Sequence, residues 1–326
     1  MLKRSHFFRD RSEIPMDPLS DVLSLLKLRS YASGGFEAGG DWSIRFDAHP
    51  GVKCYAVVAG ECWLVVEGVI GALRVKAGDC FLLPKGWPFC LTSDLSLAPV
   101  DALAIFPAVK TGGVTCYNGG KDFLSVGGHF ALTGEHADML SGLLPPIVHI
   151  AEESDKAILR WCVEGMRQEL RHPQPGSFLV AQQLATMLLV QALRIYLAEG
   201  QKGGVGWLFA LADKRMATAM FAMHSEPARP WTLQLLAERA GMSRTIFALK
   251  FKETVGQSPL DYLTRWRMFL AGDKLENSDL SLSAIAEGVG YESDSAFSTA
   301  FKRVMGCTPR QYGNRTRANV QLISSS

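Results

Sequence analysis

The spacing of hydrophobic residues divides this chain into a strand-rich part and a helical part. From Trp42 to about Phe106, short runs of β-branched and aromatic residues alternate with glycines, a pattern typical of a small barrel or a double-sheet jelly roll. After about residue 137, hydrophobic residues recur every three to four positions, which predicts helices. The predicted strands include Lys53–Val58, Cys62–Glu67, Leu73–Val75 and Cys80–Leu83, and the predicted helices include Pro15–Leu28, Ala137–Leu144, Asp155–Glu169 and Phe178–Glu199.

The segment from Trp231 to Tyr312 contains one pattern twice. The offset between the copies is 49 residues up to a glycine turn and 50 beyond it, because the second copy has one additional residue near Glu292. The matching pairs are Ala237 with Ala286, Glu238 with Glu287, Gly241 with Gly290, Ser243 with Ser293, Phe247 with Phe297, Phe251 with Phe301, Lys252 with Lys302, Gly256 with Gly306, Pro259 with Pro309 and Tyr262 with Tyr312. Such a repeat predicts one supersecondary structure used twice.

Each copy predicts a short helix, a turn containing glycine, a second helix, and then a Gly followed by Ser/Thr-Pro. This is the form of a helix-turn-helix, whose second helix enters the major groove of DNA. Thr232 and Ser243 are suited to cap the two helices of the first copy, and Ser281 and Ser293 those of the second. Between the copies, residues 259–276 predict one helix that begins at a proline.

The phenylalanines of each second helix are four residues apart, so they share one buried face. At about 100° per residue, the opposite face carries small, polar and basic side chains that can meet base edges. The candidate DNA-contacting residues are Ser243, Arg244, Thr245, Ala248, Leu249, Lys250, Lys252, Ser293, Ser295, Ser298, Thr299, Lys302 and Arg303. Phosphate contacts, which position the protein without specifying sequence, are expected from Arg244, Lys250, Arg303, Arg310 and either Arg265 or Arg267.

Composition narrows the classes of function. The chain has 326 residues, a net charge of +2 and 48% hydrophobic residues, as expected for about two soluble globular domains. Its C-terminal part is mildly basic, which suits a nucleic acid partner but is weak evidence alone. The charged N-terminal segment does not predict a signal peptide, and no apolar run approaches the ~20 residues of a membrane span. Seven cysteines without CxxC spacing indicate reduced thiols and a cytoplasmic protein.

Residues from about Asp213 to Arg317 resemble the DNA-binding domain of AraC/XylS-family transcription regulators. The resemblance is carried by Gly-Met-Ser-Arg at 241–244, Phe-Lys-Glu-Thr-Val-Gly-Gln-Ser-Pro at 251–259, Gly-Tyr-Glu-Ser at 290–293 and Ala-Phe-Ser-x-Ala-Phe-Lys-Arg at 296–303. It implies a transcription regulator that binds double-stranded DNA, with RNA polymerase as a partner if it is an activator. It also implies a protein that is not an enzyme and has no cofactor or catalytic residue.

One departure from the family pattern concerns base recognition. Members of this family often carry Arg where this chain has Leu249 and Thr299. Arg bonded to guanine is the commonest direct contact, worth about 1–3 kcal/mol of discrimination. We therefore expect fewer guanine contacts and more recognition through thymine methyl groups and DNA shape.

The strand-rich part resembles the cupin-type sensor domain that precedes the DNA-binding domain in part of this family. The resemblance is carried by residues 17–23, Cys62-Trp63-Leu64, Gly128-His129-Phe130 and Leu143-Leu144-Pro145-Pro146. Anchored on Gly60, the first cupin metal motif has Asp47, His49 and Lys53 at its ligand positions, and Phe89 replaces the His of the second motif. An ammonium and a phenyl group cannot hold a divalent cation, so the resemblance implies a scaffold without a metal site and weighs against a cupin enzyme.

The residues at these positions suggest an effector pocket. We expect Lys53, Tyr55 and Phe89 to point inward, with Trp63 and Trp87 beside them, which suits a small organic anion. The alternatives are that the aromatic residues only fill the barrel and that Lys53 extends to solvent.

Cysteines in the same region suggest a second way of sensing. The redox candidates are Cys54, Cys62, Cys80 and Cys90. A thiol switch requires exposure and a lowered pKa, whereas buried cysteines usually serve only in packing.

Together these patterns predict an α+β protein of two domains, with a cupin-like barrel or jelly roll, a helical connector and an all-α twin helix-turn-helix. The predicted divisions are a flexible tail at 1–15, an effector-sensing domain at 16–135, a helical connector at 136–200, a linker at 201–209, the DNA-binding domain at 210–317 and a C-terminal tail at 318–326. The family resemblance implies that the connector contributes to a homodimer; the alternative is a core-packing helical layer.

Overall fold

The computed structural model describes residues 17–26, 29–106, 113–131, 140, 142–151, 157–198 and 204–314, with the side chains of 29–33 excepted. The predicted tails and half of the predicted helix Ala137–Leu144 lie outside these residues. The chain divides into two compact units, one formed by Leu26–Gly204 and the other by Met1–Leu25 together with Val205–Ser326. We call them the sandwich unit and the helical unit.

Eleven described strands build the sandwich unit, as the alternation with glycine predicts. They are β1 (Arg29–Ala38), β2 (Ser43–Phe46), β3 (Val52–Ala59), β4 (Glu61–Val66), β5 (Leu73–Lys76), β6 (Cys80–Leu83), β7 (Phe89–Thr92), β8 (Val100–Asp101), β9 (Val114–Tyr117), β10 (Phe123–Ala131) and β11 (Val148–Ile150), with a short helix α2 (Ala102–Ile105) after β8. One sheet has the order β11-β6-β3-β10-β1-β9 and the other β5-β4-β7-β2-β8. The arrangement is jelly-roll-like and not a closed barrel.

The hydrophobic core of this unit lies between the two sheets. Phe36, Val57, Phe81 and Phe123 reach it from the six-stranded sheet. Ile44, Leu64, Val75, Phe89 and Leu91 reach it from the five-stranded sheet. Inward side chains therefore alternate with outward ones along β4 and β7, as strand geometry requires.

Two helices cover the outer side of the six-stranded sheet. They are α3 (Ala157–Arg171) and α4 (Ser177–Ala198), which pack on each other and on β1 and β10. Gly128 of β10 permits this approach, since a Cβ there would lie 3.0 Å from the Cβ of Ala185. By length and composition α4 is apolar enough to cross a membrane, contrary to the expectation from the sequence. Its buried side faces α3 and the sheet, as in the core helix of a folded domain.

Among the described residues, the helical unit contains one helix from the start of the chain and a series of helices from its C-terminal part. They are α1 (Pro18–Leu25), α5 (Trp207–Ala210), α6 (Lys214–Ser225), α7 (Leu233–Arg239), α8 (Arg244–Val255), α9 (Pro259–Asn277), α10 (Leu282–Gly288) and α11 (Asp294–Met305), and residues 309–314 begin a further helix. α9 agrees with the predicted helix at 259–276 to within one residue, and α7, α8, α10 and α11 each begin directly after their predicted cap residue.

Helix α1 packs on α6 and α9 of this unit, although the sequence joins it to the first strand of the sandwich unit. Asp21 of α1 accepts a hydrogen bond from Nδ1 of His224 at 2.9 Å, and the Tyr262 hydroxyl lies 2.7 Å from Nε2 of the same ring. The indole of Trp266 stacks on the imidazole with 3.9 Å between ring centroids. Burial lowers the pKa of His224, against the influence of Asp21, so the ring is neutral and Tyr262 donates to it. The prediction that residues 16–135 form one domain did not foresee this position of α1.

Candidate functional site

The two copies of the repeat share one skeleton. In the first copy, Thr232 caps α7 and Ser243 caps α8. The Ser243 Oγ accepts a hydrogen bond from the backbone NH of Ile246 at 3.4 Å. In the second, Ser281 and Ser293 take the same roles for α10 and α11. Both second helices end at a left-handed glycine, Gly256 at φ 82° and Gly306 at φ 75°. The capping predicted from the sequence is thus confirmed at all four helices.

Buried phenylalanines hold each second helix against the unit. Phe247, Phe251, Phe297 and Phe301 are all fully buried. Phe251 contacts the ring of Tyr262 with centroids 5.8 Å apart, and Phe301 contacts Tyr312 at 5.5 Å. Because these rings fix the buried face, they also fix which side chains of α8 and α11 face outward.

The outward face of α8 combines two exposed apolar side chains with polar and charged ones. Arg244, Thr245, Leu249 and Lys252 are exposed, as predicted, and Ala248 is half-buried at the edge. Two further exposed residues were not among the candidates, Ile246 with 58% of its surface accessible and Glu253. Helical periodicity counted from the two phenylalanines could have identified both, since they lie beside Leu249 at about 60° or less from it.

Lys250 does not belong to this outward face. It forms an ion pair with Asp213, the N-cap residue of α6, and is therefore held within the helical unit. The matching position in the second copy is Ala300, which is buried. The helical position therefore points toward the body of the unit, and the expected phosphate contact of Lys250 is not supported.

The outward face of α11 is polar and basic. Ser295, Ser298, Thr299, Lys302 and Arg303, all predicted candidates, line one shallow groove together with Thr308. Ser293 lies at the start of the helix as its cap. Thr308, on the loop after α11, was missed because it lies beyond the helix on which the periodicity was counted.

The arginines of the connecting helix α9 differ in their surroundings. Arg267 donates to the backbone carbonyls of Pro227 at 2.7 Å and Arg229 at 2.8 Å, so it ties α9 to the loop before α7. Burial lowers its pKa. Arg265 is exposed with its guanidinium 5.9 Å from the Phe269 ring. Of the two alternatives for a phosphate contact, Arg265 is the one that is free of backbone partners among the described residues.

A second cluster lies in the sandwich unit and contains Lys53 and Phe89, two of the predicted effector residues. Lys53 is 8% exposed, and its Nζ lies 4.7 Å from the centre of the Phe89 ring and 5.0 Å from that of Phe46. The two rings are stacked with centroids 4.6 Å apart. Burial lowers the pKa of Lys53 to about 8. Lys53 therefore points inward and does not extend to solvent.

Of the other predicted effector residues, one points into the core and two lie outside it. Tyr55 packs against the inner core and lies 5.6 Å from the Phe81 ring, so it shares the inward face of β3 with Lys53. Trp63 alternates with the core residues Cys62 and Leu64 and stacks outside on Arg74, with 5.8 Å to the guanidinium carbon. The prediction that Trp63 points inward was wrong. Side chains alternate along β4, and since Cys62 and Leu64 are the buried ones, Trp63 between them points outward. Trp87 is 40% exposed and lies outside the core cluster as well.

The residues at the cupin metal positions do not fit a divalent cation. His49 and Lys53 lie near Phe89, while Asp47 is exposed and pairs with Arg45 at 2.5 Å. One imidazole beside an ammonium group and a phenyl ring offers a single nitrogen donor and an opposing charge. Among the described residues, no group of three His, Cys, Asp or Glu side chains comes together in a way that could hold a metal ion.

The four redox candidates are unevenly placed. Cys54 and Cys80 have their sulfurs 3.9 Å apart and are buried. The hydrogen bond to Cys80 raises the pKa of Cys54, and burial adds to this. Burial also raises the pKa of Cys62. Cys90 is partly exposed and lies 3.4 Å from the Ser43 hydroxyl. The shifts of Cys54 and Cys62 favour the unreactive thiol form.

Comparisons with known proteins cover both units. Residues 17–198 match the family described as Cupin, and residues 236–315 match the family described as Helix-turn-helix domain. A protein of Streptomyces lividans named as a putative AraC-like transcription regulator is 43% identical over 298 residues, which is 91% of this chain and 98% of that protein. A protein of the same name from Streptomyces antibioticus is 42% identical with the same coverage. The HTH-type transcriptional regulator AlkR of Acinetobacter baylyi is 27% identical, over 91% of this chain and 99% of that protein.

Proposed function

The chain belongs to the AraC-like transcription regulators, with a cupin domain before a helix-turn-helix domain, and we propose that it reads DNA through the outward faces of α8 and α11. The observation that carries this proposal is the groove on α11, where Ser295, Thr299, Lys302 and Arg303 converge on one exposed surface. Hydroxyl groups serve either base edges or phosphates, and the two cations serve phosphates.

The two helices are proposed to read DNA in different ways. Leu249 is 58% exposed, as is Ile246, so α8 offers methyl groups to the methyl of thymine. The carboxylate of Glu253 on the same face can accept a hydrogen bond from the amino group of cytosine. Arg244 at the N-terminal end of α8 supplies the adjacent phosphate contact.

The connecting helix has a suitable length for two adjacent major grooves. α9 has 19 residues, which at about 1.5 Å per residue span roughly 28 Å. Successive major grooves on one side of B-DNA are about 34 Å apart. The spacing supports one chain with two readers on one side of the duplex.

The test is selection of DNA sites by the purified protein, followed by affinity measurements on the selected site at several salt concentrations. Replacing both Lys302 and Arg303 by Ala should weaken binding and reduce the slope of log K against log[salt] by about 2, since each phosphate contact contributes about 0.9. Lys76→Ala, an exposed lysine of the sandwich unit, is the matched control and should change neither quantity. An unchanged salt slope in the double variant would contradict the placement of α11 on DNA.

We further propose that the protein is a cytoplasmic homodimer without enzymatic activity, joined through α3 and α4. Exposed apolar side chains support this surface, with Ile158 at 52% and Trp161 at 61% on α3, and Leu179 at 60% on α4. Trp161→Glu should convert the dimer to a monomer in light scattering at micromolar concentration. Ile70→Glu, at an exposed apolar residue elsewhere, should not. A wild-type monomer would contradict the proposal.

RNA polymerase is a further partner if transcription assays show activation.

Between the two ways of sensing, the positions of the cysteines favour ligand binding over a thiol switch. Cys54 and Cys80 are close enough to be oxidised together, yet their burial and the raised pKa of Cys54 oppose reaction. DNA binding should therefore be unchanged after mild oxidation, with mass spectrometry used to detect any disulfide. Lost DNA binding together with a Cys54–Cys80 disulfide would favour the thiol switch instead.

A further inference from the structure

We propose that a small monocarboxylate binds in the sandwich unit between Lys53 and His49, with the rings of Phe46 and Phe89 beside it. The proposal rests on the sensing role proposed above and names the chemical class that the site accepts. The four residues come from both sheets and from the loop between them, since Lys53 lies on β3, Phe46 on β2, Phe89 on β7 and His49 on the segment joining β2 to β3. A ligand here would contact both sheets at once.

The first argument is the surroundings of the Lys53 ammonium group. More than nine-tenths of the residue is buried, and its contacts among the described residues are with the faces of two aromatic rings, without a carboxylate or carbonyl acceptor. A buried cation is ordinarily paired with an anion, because removing it from water is costly. Interactions with the ring faces compensate only part of that cost.

The second argument is the neighbouring imidazole. Both ring nitrogens of His49 are buried and have no hydrogen-bond partner. Burial lowers the pKa of His49 to about 3, with further contributions from Lys53 and His129, so the ring is neutral and carries one NH donor. The nearby Pro50 carbonyl partly opposes this shift, but its close contact, at 2.5 Å, is with Nε2 of His129. Such orphaned buried groups are rare and indicate a missing partner.

The charges at the site select the class of ligand. The titratable groups that face Lys53 are His49 and His129, and burial lowers the pKa of both, so the cluster has one positive charge and neutral NH donors. One carboxylate matches this charge and can accept from both Lys53 Nζ and His49. A phosphate dianion would leave a buried negative charge without a partner, and a cationic ligand would be repelled. The stacked rings of Phe46 and Phe89 favour an apolar body on the acid.

The test uses the full-length protein with acetate and benzoate as probes and benzamide as the neutral analogue of benzoate. Melting temperature and calorimetric titration are measured without DNA, so the result does not depend on DNA binding. At least one of the two carboxylates should raise the melting temperature of the wild type, and benzamide should not. Lys53→Met should lower affinity by about 30-fold or more, as expected when one partner of a buried charge pair is removed.

Two further variants make the outcome decisive. Lys76→Met, an exposed lysine on β5, should respond to the carboxylate as the wild type does. His49→Phe removes the second donor and should weaken binding while keeping the ring. Lys53→Met should melt at a higher temperature than the wild type without ligand, because it removes an unpaired buried charge, and this also shows that the variant is folded. An equal response of Lys53→Met and wild type, or no response of the wild type to either carboxylate, would overturn the proposal.

Failure of this site and failure of the proposed regulator are distinguishable. Affinity for the selected DNA site is measured separately, with and without the carboxylate. Carboxylate binding that leaves DNA affinity unchanged would retain the site and overturn its role in sensing. Loss of DNA binding in the Lys302 and Arg303 variant, with carboxylate binding intact, would support both assignments.

Discussion

The two helix-turn-helix copies are alike in what they bury and different in what they expose. Both use a serine cap, a pair of buried phenylalanines four residues apart and a left-handed glycine after the second helix. On the outside, α8 presents Ile246, Leu249 and Glu253, whereas α11 presents Ala296, Thr299 and Arg303 at the matching positions. The two copies therefore share the residues that pack in the interior and differ in the residues that they expose.

The copies also differ in how the rest of the helical unit supports them. The first is joined to α6 by the Lys250–Asp213 ion pair and to the segment before α5 by a hydrogen bond of 2.8 Å from the Gly206 NH to the Thr254 carbonyl. Helix α1 also supports the first copy: Asp21 is hydrogen-bonded to His224, His224 to Tyr262, and the Tyr262 ring contacts Phe251. At the matching position of Lys250, the second copy has the buried Ala300. The first copy thus depends on contacts outside the repeat.

The largest effects should come from the shared skeleton. Phe251→Ala and Phe301→Ala should each destabilise the helical unit by about 3–5 kcal/mol, because both rings are fully buried. Urea unfolding, with hydrogen exchange used to locate the loss, checks this. Leu280→Ala, at a residue that is 52% exposed, is the control and should change stability little. A large difference between the two phenylalanine variants would show that the copies are not equivalent inside.

The support of the first copy is tested by His224→Ala. This change leaves the Tyr262 hydroxyl without its acceptor in a buried setting, and we expect a loss of about 2–3 kcal/mol. Hydrogen exchange should increase in α1, α7 and α8 more than in α10 and α11. Asp21→Asn retains an oxygen acceptor for His224 Nδ1 and should cost less. Equal changes in both copies would contradict the dependence of the first copy on α1.

The difference between the exposed faces is tested by introducing the arginines that the family often carries. Leu249→Arg and Thr299→Arg should each add a preference for guanine of about 1–3 kcal/mol at the base pairs that the altered helix contacts. Selection of DNA sites by each variant, compared with the wild type, measures this. Invariant guanines opposite both helices in the sites selected by the wild type would show that the inference of fewer guanine contacts is wrong.

The smallest effects should come from the caps. Ser243→Ala and Ser293→Ala each remove the side-chain acceptor of one backbone NH, and each should cost about 1 kcal/mol. Glycine at the same positions should cost only a few tenths of a kcal/mol. Thermal unfolding of the four variants checks whether both helices start in the same way. A cost confined to one copy would identify the helix that depends on its own cap.

The sequence by itself determined those features that depend on neighbours within a few residues. Helix bounds, serine caps and the buried sides of α8 and α11 follow from spacing of three to four residues, and the repeat made each assignment twice. Short glycine-separated strands likewise predicted a jelly roll. The resemblance to cupins, with its motif spacing, identified Lys53 and Phe89 at the replaced metal positions. The strand β1 (Arg29–Ala38) was not predicted, because both of its partner strands are distant in sequence.

Tertiary structure alone decided the contacts between distant residues. Asp21 and His224 are 203 positions apart, so no local pattern indicates that α1 packs in the helical unit. The same holds for the pairing of Lys250 with Asp213, the outward side of Trp63 and the position of both His49 and Lys53 beside Phe89. The spacing of residues along the chain indicates which side chains lie on the same face of a helix or strand. Which distant residue a buried face packs against depends on packing the whole chain into a dense interior.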